Sequence, residues 1–237
     1  MIDTILLDLD GSLLHFTQEA FISKYFKEIS KVFMKLGLDP EAAVKAVWAG
    51  TKAMIANDGT KLNSRRFWDR FAETMQLMDD QVGIVERACD LFYSNEFDIV
   101  KSIVTPNDIS KRLLRSLSER GYTIVLATNP LFPECAVTTR LGWAGLSPND
   151  FSLITHYANS TFCKPNLGYY QEVLSKIGKA PENCLMAGNS PSEDMCAGAL
   201  GMEVYLLTDC LENETGLDIA QFHNGTLAEF EAYLRRY

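Results

Sequence analysis

Thr4-Ile5-Leu6-Leu7-Asp8-Leu9-Asp10-Gly11-Ser12-Leu13-Leu14 is an apolar run that stops at two aspartates, one residue apart, and turns at a glycine. Side chains alternate along a strand, but where the strand ends the chain is free to turn, so both carboxylates can face one pocket. A run this apolar needs neighbours on both sides, which predicts a strand inside a sheet rather than at its rim. Two acids closing such a strand point to catalysis. Their bland alternative is a strand end followed by an ordinary Asp-Gly turn.

The rest of the chain sets the frame around this motif. At 237 residues and 47% hydrophobic content, it can bury a core the size of one large domain, or of a domain with an insert. A formal charge of -9 argues against non-specific binding to nucleic acid or to anionic lipid, both of which want a basic surface. No apolar run approaches the ~20 residues of a membrane span, and the first residues lack the basic start and small-residue cleavage site of a signal peptide. A cytoplasmic protein acting on a small molecule is therefore expected. Six cysteines at 89, 135, 163, 184, 196 and 210 form no CxxC pair, so they read as reduced thiols rather than zinc ligands or disulfides.

After Leu14 the pattern becomes helical. Thr17 caps a segment whose apolar positions Ile22, Tyr25, Phe26, Ile29, Phe33 and Leu36 follow three-and-four spacing. Asp39-Pro40 opens a second helix that runs to the turn Asn57-Asp58-Gly59, a third starts near Asn63 or Ser64, and a fourth near Asp79. From about Thr105, helical patterns alternate with short apolar runs at Thr123–Ala127, Phe151–Thr155, Cys184–Ala187 and Val204–Leu207. Thr226-Leu227-Ala228-Glu229 is a capping box for a last helix. Such alternation predicts an α/β fold, a doubly wound parallel sheet with helices on both faces. Residues 1–15 and 103–237 form its core, and residues 16–102 are an inserted all-helical unit. Ligands of doubly wound sheets bind beyond the carboxyl ends of the strands, and the insert leaves from that same edge.

Four polar clusters fall at or near strand ends: Asp8 with Asp10, Thr128 with Asn129, Lys164 before Pro165, and Gly188-Asn189-Ser190 leading to Glu193-Asp194. In this order and combination they resemble the haloacid dehalogenase-like hydrolase superfamily, specifically its phosphoglycolate phosphatase-like branch with a helical cap inserted after the first motif. The resemblance covers nearly the whole chain, and Asp8-Leu9-Asp10-Gly11-Ser12 is close to the family's DxDGT. It implies a Rossmann-like core, a cap domain over residues 16–102, and hydrolysis of a small phosphomonoester with Mg2+ as cofactor.

The residues suit that chemistry. Asp8 can serve as nucleophile, forming an acyl phosphate and dividing one hard step into two. Asp10 can protonate the leaving oxygen and then take a proton from the attacking water. Lys164 supplies a fixed cation for the phosphoryl oxygens, while Thr128, Asn129 and the amides of Leu9, Gly11 and Ser12 donate hydrogen bonds. Mg2+ takes about six oxygens and keeps several waters, which fits Asp8, the Asp10 carbonyl and the later residues Asn189 and Asp194. The family places aspartate directly after the last glycine. Here that position is Asn189, which predicts a less firmly held magnesium, with Asp194 or Glu193 as the charged contact.

Structural readings stand beside these. Thr128-Asn129-Pro130 by itself reads as a turn and helix cap, Lys164 as a solvated surface charge, and Asp194 as a first-turn acid at a helix start. Only the company of Asp8 favours function for them. Arg65 and Arg66 read as a solvated helix face and Asn57-Asp58-Gly59 as only a turn, rather than as contacts to the non-phosphate part of a substrate, and Trp48, Trp68, Tyr169 and Tyr170 read as packing residues. Three alternative functions remain: a dehalogenase, which has no use for Asp10; a phosphomutase, which returns an isomer without net phosphate release; and a binding or regulatory protein with weakened catalysis.

Overall fold

The computed structural model describes residues 1–237. Six strands, β1 Thr4–Leu7, β2 Thr123–Leu126, β3 Leu153–Ile154, β4 Cys184–Gly188, β5 Glu203–Leu207 and β6 His223–Gly225, form one sheet in the order β3-β2-β1-β4-β5-β6. Every pairing is parallel. The chain moves outward from β1 to β2 and β3, then crosses back to β4, so β1 and β4 flank the point where strand order reverses. Ligand sites of open α/β sheets lie at such a point.

The alternation of side chains explains why both faces are covered. Ile5, Leu7, Ile124, Leu126, Leu185 and Ala187 belong to a large apolar cluster on one face, which α5 (Ile109–Glu119) joins through Leu113, Leu114 and Leu117. Leu6, Val125 and Met186 face the other way and pack with Tyr169, Tyr170 and Val173 of α7 (Leu167–Ile177).

Between β1 and α5 lie four helices, α1 Gln18–Lys35, α2 Pro40–Ile55, α3 Asn63–Met75 and α4 Asp79–Asn95, followed by a 3-10 segment at Phe97–Ile103. Their caps follow the sequence: Thr17 Oγ1 accepts from Ala20 N at 3.4 Å, and Asp39 accepts from Ala42 N at 2.8 Å just before Pro40. The chain enters and leaves this insert through two segments that touch, with Thr105 N donating to His15 O at 2.8 Å. The apolar cluster of the sheet face continues unbroken into the insert through Phe16, Phe21, Phe97 and Trp143.

Three features differ from the sequence reading. The run at Phe151–Thr155 yields only the two-residue β3, because it pairs on one side alone, at the sheet's rim. At the opposite rim, β6 is polar and half exposed, so it carries no apolar signal. The helix after Asn129-Pro130 begins later, with Pro133 at the cap and α6 spanning Glu134–Trp143. α8 (Leu227–Tyr233) starts at the Thr226 capping box as the sequence predicts. No helix is long and apolar enough to cross a membrane.

Candidate active site

Strand register brings the dispersed motifs together. Leu7 pairs with Leu126 on one side and Ala187 on the other, so Asp8, Thr128 and Asn189 leave three adjacent strands at the same edge. The turn after Asp8 needs a glycine. Gly11 has φ of +74°, and a Cβ there would lie 2.1 Å from the Asn189 side-chain nitrogen. Gly188 is as tightly constrained, since its Cβ would sit 2.2 Å from an Asp194 carboxylate oxygen.

Lys164 is the electrostatic centre. It is 1% exposed, and its Nζ donates to Asp8 Oδ1 at 3.0 Å and to Asp194 Oδ1 at 2.6 Å. Burial pulls the ammonium's pKa down, but the two carboxylates outweigh that and hold it well above its ordinary value. Asp194 is pushed up to about 6 by burial, with Lys164 opposing, and its second oxygen accepts from Ser190 N at 2.9 Å. The solvated-lysine reading therefore does not describe Lys164.

On the other side of Asp8, the Ser12 hydroxyl donates to Asp8 Oδ2 at 2.9 Å and lies 3.3 Å from Asn189 Oδ1. Asn189 Nδ2 donates to Cys210 O at 2.7 Å, which fixes the amide with its oxygen toward Asp8. Two acceptor oxygens thus converge on a single hydroxyl. That donor set, oxygen-only and partly neutral, is the kind a hard cation takes. No cluster of three or more acidic, cysteine or histidine side chains forms a closed cage here, so any such ion would keep several waters.

Thr128 leaves its hydroxyl without a protein partner, while its carbonyl accepts from Thr155 Oγ1 at 2.6 Å and Tyr169 OH at 3.0 Å. Asn129 spends its side chain on structure: Nδ2 donates to Glu193 Oε2 at 3.0 Å and Oδ1 accepts from Lys164 N at 3.2 Å. Its main-chain N–H makes no hydrogen bond, and neither do those of Leu9 and Asp10. These free amides flank Asp8. Tyr170 OH donates to Glu193 O at 2.8 Å, so both tyrosines brace the loops of the site from beneath as well as packing.

Two participants escaped the sequence reading. Arg140, on α6 and 1% exposed, forms an ion pair with Asp10 Oδ2 through Nη1, and its guanidinium lies 4.4 Å from the Phe132 ring centre. Asp10 Oδ1 has no partner. The Asp10 side chain is 31% exposed and lines the cavity, and burial raises its pKa against the pull of Arg140. A signal for Arg140 existed, since it falls three and four residues after the buried Val137 and Ala136 on the apolar face of its helix. Glu212, by contrast, sits in a loop with no motif. Its N–H donates to Asn189 O at 3.0 Å, and burial together with Asp8 and Glu193 pushes its carboxyl up to about 7. Glu193 is likewise pushed up to about 7, chiefly by burial. Arg65 and Arg66 pair with Asp69 and Asp58 on the insert's surface and stay clear of the site.

Comparison with known proteins bears on the family and the fold. The fold superposes on a HAD phosphatase from Thermococcus onnurineus with a TM-score of 0.62, at 19% identity and covering 98% of both chains. A 2-haloacid dehalogenase from Pseudomonas syringae pv. Tomato gives 0.65 at 16% identity, covering 100% of this chain and 99% of that one. A β-phosphoglucomutase from Clostridium difficile gives 0.59 at 16% identity, covering 100% of this chain and 96% of that one. At these identities the likeness is one of fold. Comparison with curated protein sequences returned no match. The family model of haloacid dehalogenase-like hydrolases, however, matches residues 2–200, which takes in all four motif clusters, and the chain belongs to that family of hydrolases.

Proposed function

We propose that this hydrolase is a Mg2+-dependent phosphatase of a small phosphorylated metabolite, working through a phosphoryl-aspartate on Asp8. The observation that carries the reading is Lys164, buried and bound to both Asp8 and Asp194 at the end of β1. An ammonium held there stabilises negative charge that builds on a phosphoryl group, in a site from which bulk water is largely excluded.

In the first step a carboxylate oxygen of Asp8 bonds to phosphorus as the ester P–O bond breaks. The leaving oxygen takes a proton from Asp10. Asp10 suits this role because its side chain lines the cavity with Asp8, and Arg140 fixes its Oδ2. In the second step Asp10 takes a proton from water, whose oxygen attacks the same phosphorus, restoring the Asp8 carboxylate and releasing inorganic phosphate. The Thr128 hydroxyl and the free amides of Leu9, Asp10 and Asn129 hold the phosphoryl oxygens, and Gly11 and Ser12 shape the turn that aims them.

Asp8, the Asp10 carbonyl and Asn189 Oδ1 would hold magnesium, which when bound neutralises charge between the nucleophile and the phosphate. Asp194, with both oxygens engaged by Lys164 and Ser190, acts from behind as the anchor of the lysine. Residues 16–102 act as a cap that limits water entry, hinged where residues 14–18 meet 100–106. A second acid, Asp10, lining the cavity with Asp8 favours proton transfer over carbon–halogen displacement, which needs none.

Hydrolysis of an aryl phosphate, with and without Mg2+, tests the reading. Asp8→Asn is expected to lower kcat by at least about a thousandfold. Equal rates from both proteins reject the mechanism.

A further inference from the structure

A cavity of about 210 Å3 opens above Asp8, and its two walls differ in kind. Its floor is the polar end of the sheet, with Asp8, Asp10, Thr128 and Asn189. The wall supplied by the insert is aromatic, with Tyr25, Phe26, Trp48, Phe67, Trp68 and Phe71 among its residues. Ordinary core packing explains part of this, since Phe71 is fully buried and Phe67 stacks on it with ring centres 6.1 Å apart. Packing alone does not explain the space that remains, because apolar interiors close up voids of this size. Nor does it explain Trp48, which stays 40% exposed beside Phe26 at a ring separation of 5.3 Å.

Charge in the cavity is one-sided. Asp8, Asp10, Asp90, Glu193, Asp194 and Glu212 line it, and no lysine, arginine or histidine does. The two cations beneath the floor are committed, Lys164 to Asp8 and Asp194 and Arg140 to Asp10. A carboxylate on the leaving group would meet only like charges and aromatic rings. A polyhydroxylated leaving group finds few partners deep in the wall, where the buried polar groups largely satisfy one another. Tyr25 and Tyr93 share a hydrogen bond of 2.6 Å, and the Thr51 hydroxyl donates to Val47 O at 3.0 Å. Trp68 Nε1 is the buried exception, without an aligned acceptor although the Tyr157 hydroxyl is its neighbour, while the polar side chains of Gln18 and Asp90 are exposed.

Resting on the phosphatase reading above, we infer that the leaving group carries no negative charge and is ring-sized and largely apolar: an aryl or arylalkyl phosphate, carrying at most a neutral acceptor for Trp68. Size agrees. A dry apolar cavity of about 150 Å3 holds a benzene ring, so this cavity takes one ring beside a phosphoryl group. Phosphorylated carboxylic acids are rejected because their charge would be buried beside carboxylates, and sugar phosphates are disfavoured because most of their hydroxyls would face aromatic rings.

The test compares kcat/KM of the full chain with Mg2+ on benzyl phosphate, phenyl phosphate, phosphoglycolate and glucose 6-phosphate, with acetyl phosphate as a substrate that makes little use of the wall. Benzyl and phenyl phosphate are expected to exceed the two polar esters by about a hundredfold or more. Trp48→Arg, a change at the exposed part of the wall, is expected to shift the benzyl phosphate to phosphoglycolate ratio toward the carboxylate by about tenfold. Turnover of acetyl phosphate with no preference for the aromatic esters overturns this inference and leaves the phosphatase reading standing. An unchanged ratio in folded Trp48→Arg also overturns it. No phosphate release from any of the esters or from acetyl phosphate overturns both.

Discussion

Asp10 meets the Arg140 guanidinium from a turn on the other side of the cavity floor, 130 residues away in sequence. Two opposing effects act on the carboxyl: burial raises its pKa, and the nearby positive charge lowers it. Arg140→Met removes only the second. Asp10 then holds its proton to higher pH, so the limb of the pH–rate profile that reports Asp10 should move upward. The side chain also loses its tether, and kcat should fall by about a hundredfold. Arg140→Lys should restore part of the limb's position but little of the geometry, because an ammonium lacks the planar fork. A fall in kcat with the limb unmoved would mean that Arg140 serves packing alone. Asn189 is a second residue whose meaning changes with its surroundings. As a replacement for aspartate it reads as a weakened metal ligand. In place, its amide nitrogen donates to Cys210 O, a bond that a carboxylate at this position would turn into repulsion.

Among the elements, α3 ties insert to core through the hydrogen bonds of its N-terminus. Its N-cap is Leu62, which has no side chain able to satisfy the free N–H groups of the first turn. Carbonyls of the core loop take that role: Asn63 N donates to Ser160 O and Ser64 N to Tyr157 O, each at 2.9 Å. The Asn63 side chain, fully buried, adds bonds to Phe162 O at 3.1 Å and Cys163 Sγ at 3.3 Å, and accepts from Asn57 Nδ2 at 2.8 Å. This loop leads directly to Lys164. Asn63→Ala strands those partners and should cost about 1–3 kcal/mol in stability. It should also raise KM more than it changes kcat, because a smaller share of molecules is closed before substrate binds. Denaturation and steady-state kinetics measure the two effects. The four insert helices were legible because their apolar positions keep helical spacing and their caps are local. β6 was not, since His223-Asn224-Gly225 becomes a strand only by pairing with β5.

For the molecule as a whole, the insert and the sheet share one apolar cluster, so the cavity is a gap within a common core rather than a cleft between separate ones. Its neighbourhood also contains a pH-sensitive contribution to stability. His156 follows β3, its Nδ1 is buried without a partner, and burial lowers its pKa despite Glu134 at 3.9 Å. The folded state therefore resists protonation that the unfolded chain accepts near pH 6.5. Stability from this group is complete above that pH and is lost as pH falls below it. Urea unfolding at pH 7.5 and 5.5 should show the wild type losing more stability than His156→Gln across that interval.

The amino-acid sequence by itself determined what is local or periodic. The apolar strand ending at Asp8 and Asp10, the helical insert, the alternation behind the sheet and the order of the four motifs all follow from side chains near one another in the chain. Tertiary structure alone decided what depends on distant segments meeting. Parallel strands take their neighbours from far along the sequence, so only their pairing put Lys164 between Asp8 and Asp194, set Arg140 against Asp10 and brought Glu212 to the floor. The aromatic wall is the clearest case. In the sequence Trp48 and Trp68 carry the same signal as any packing residue, and only the fold of the insert over the sheet leaves a space in front of them.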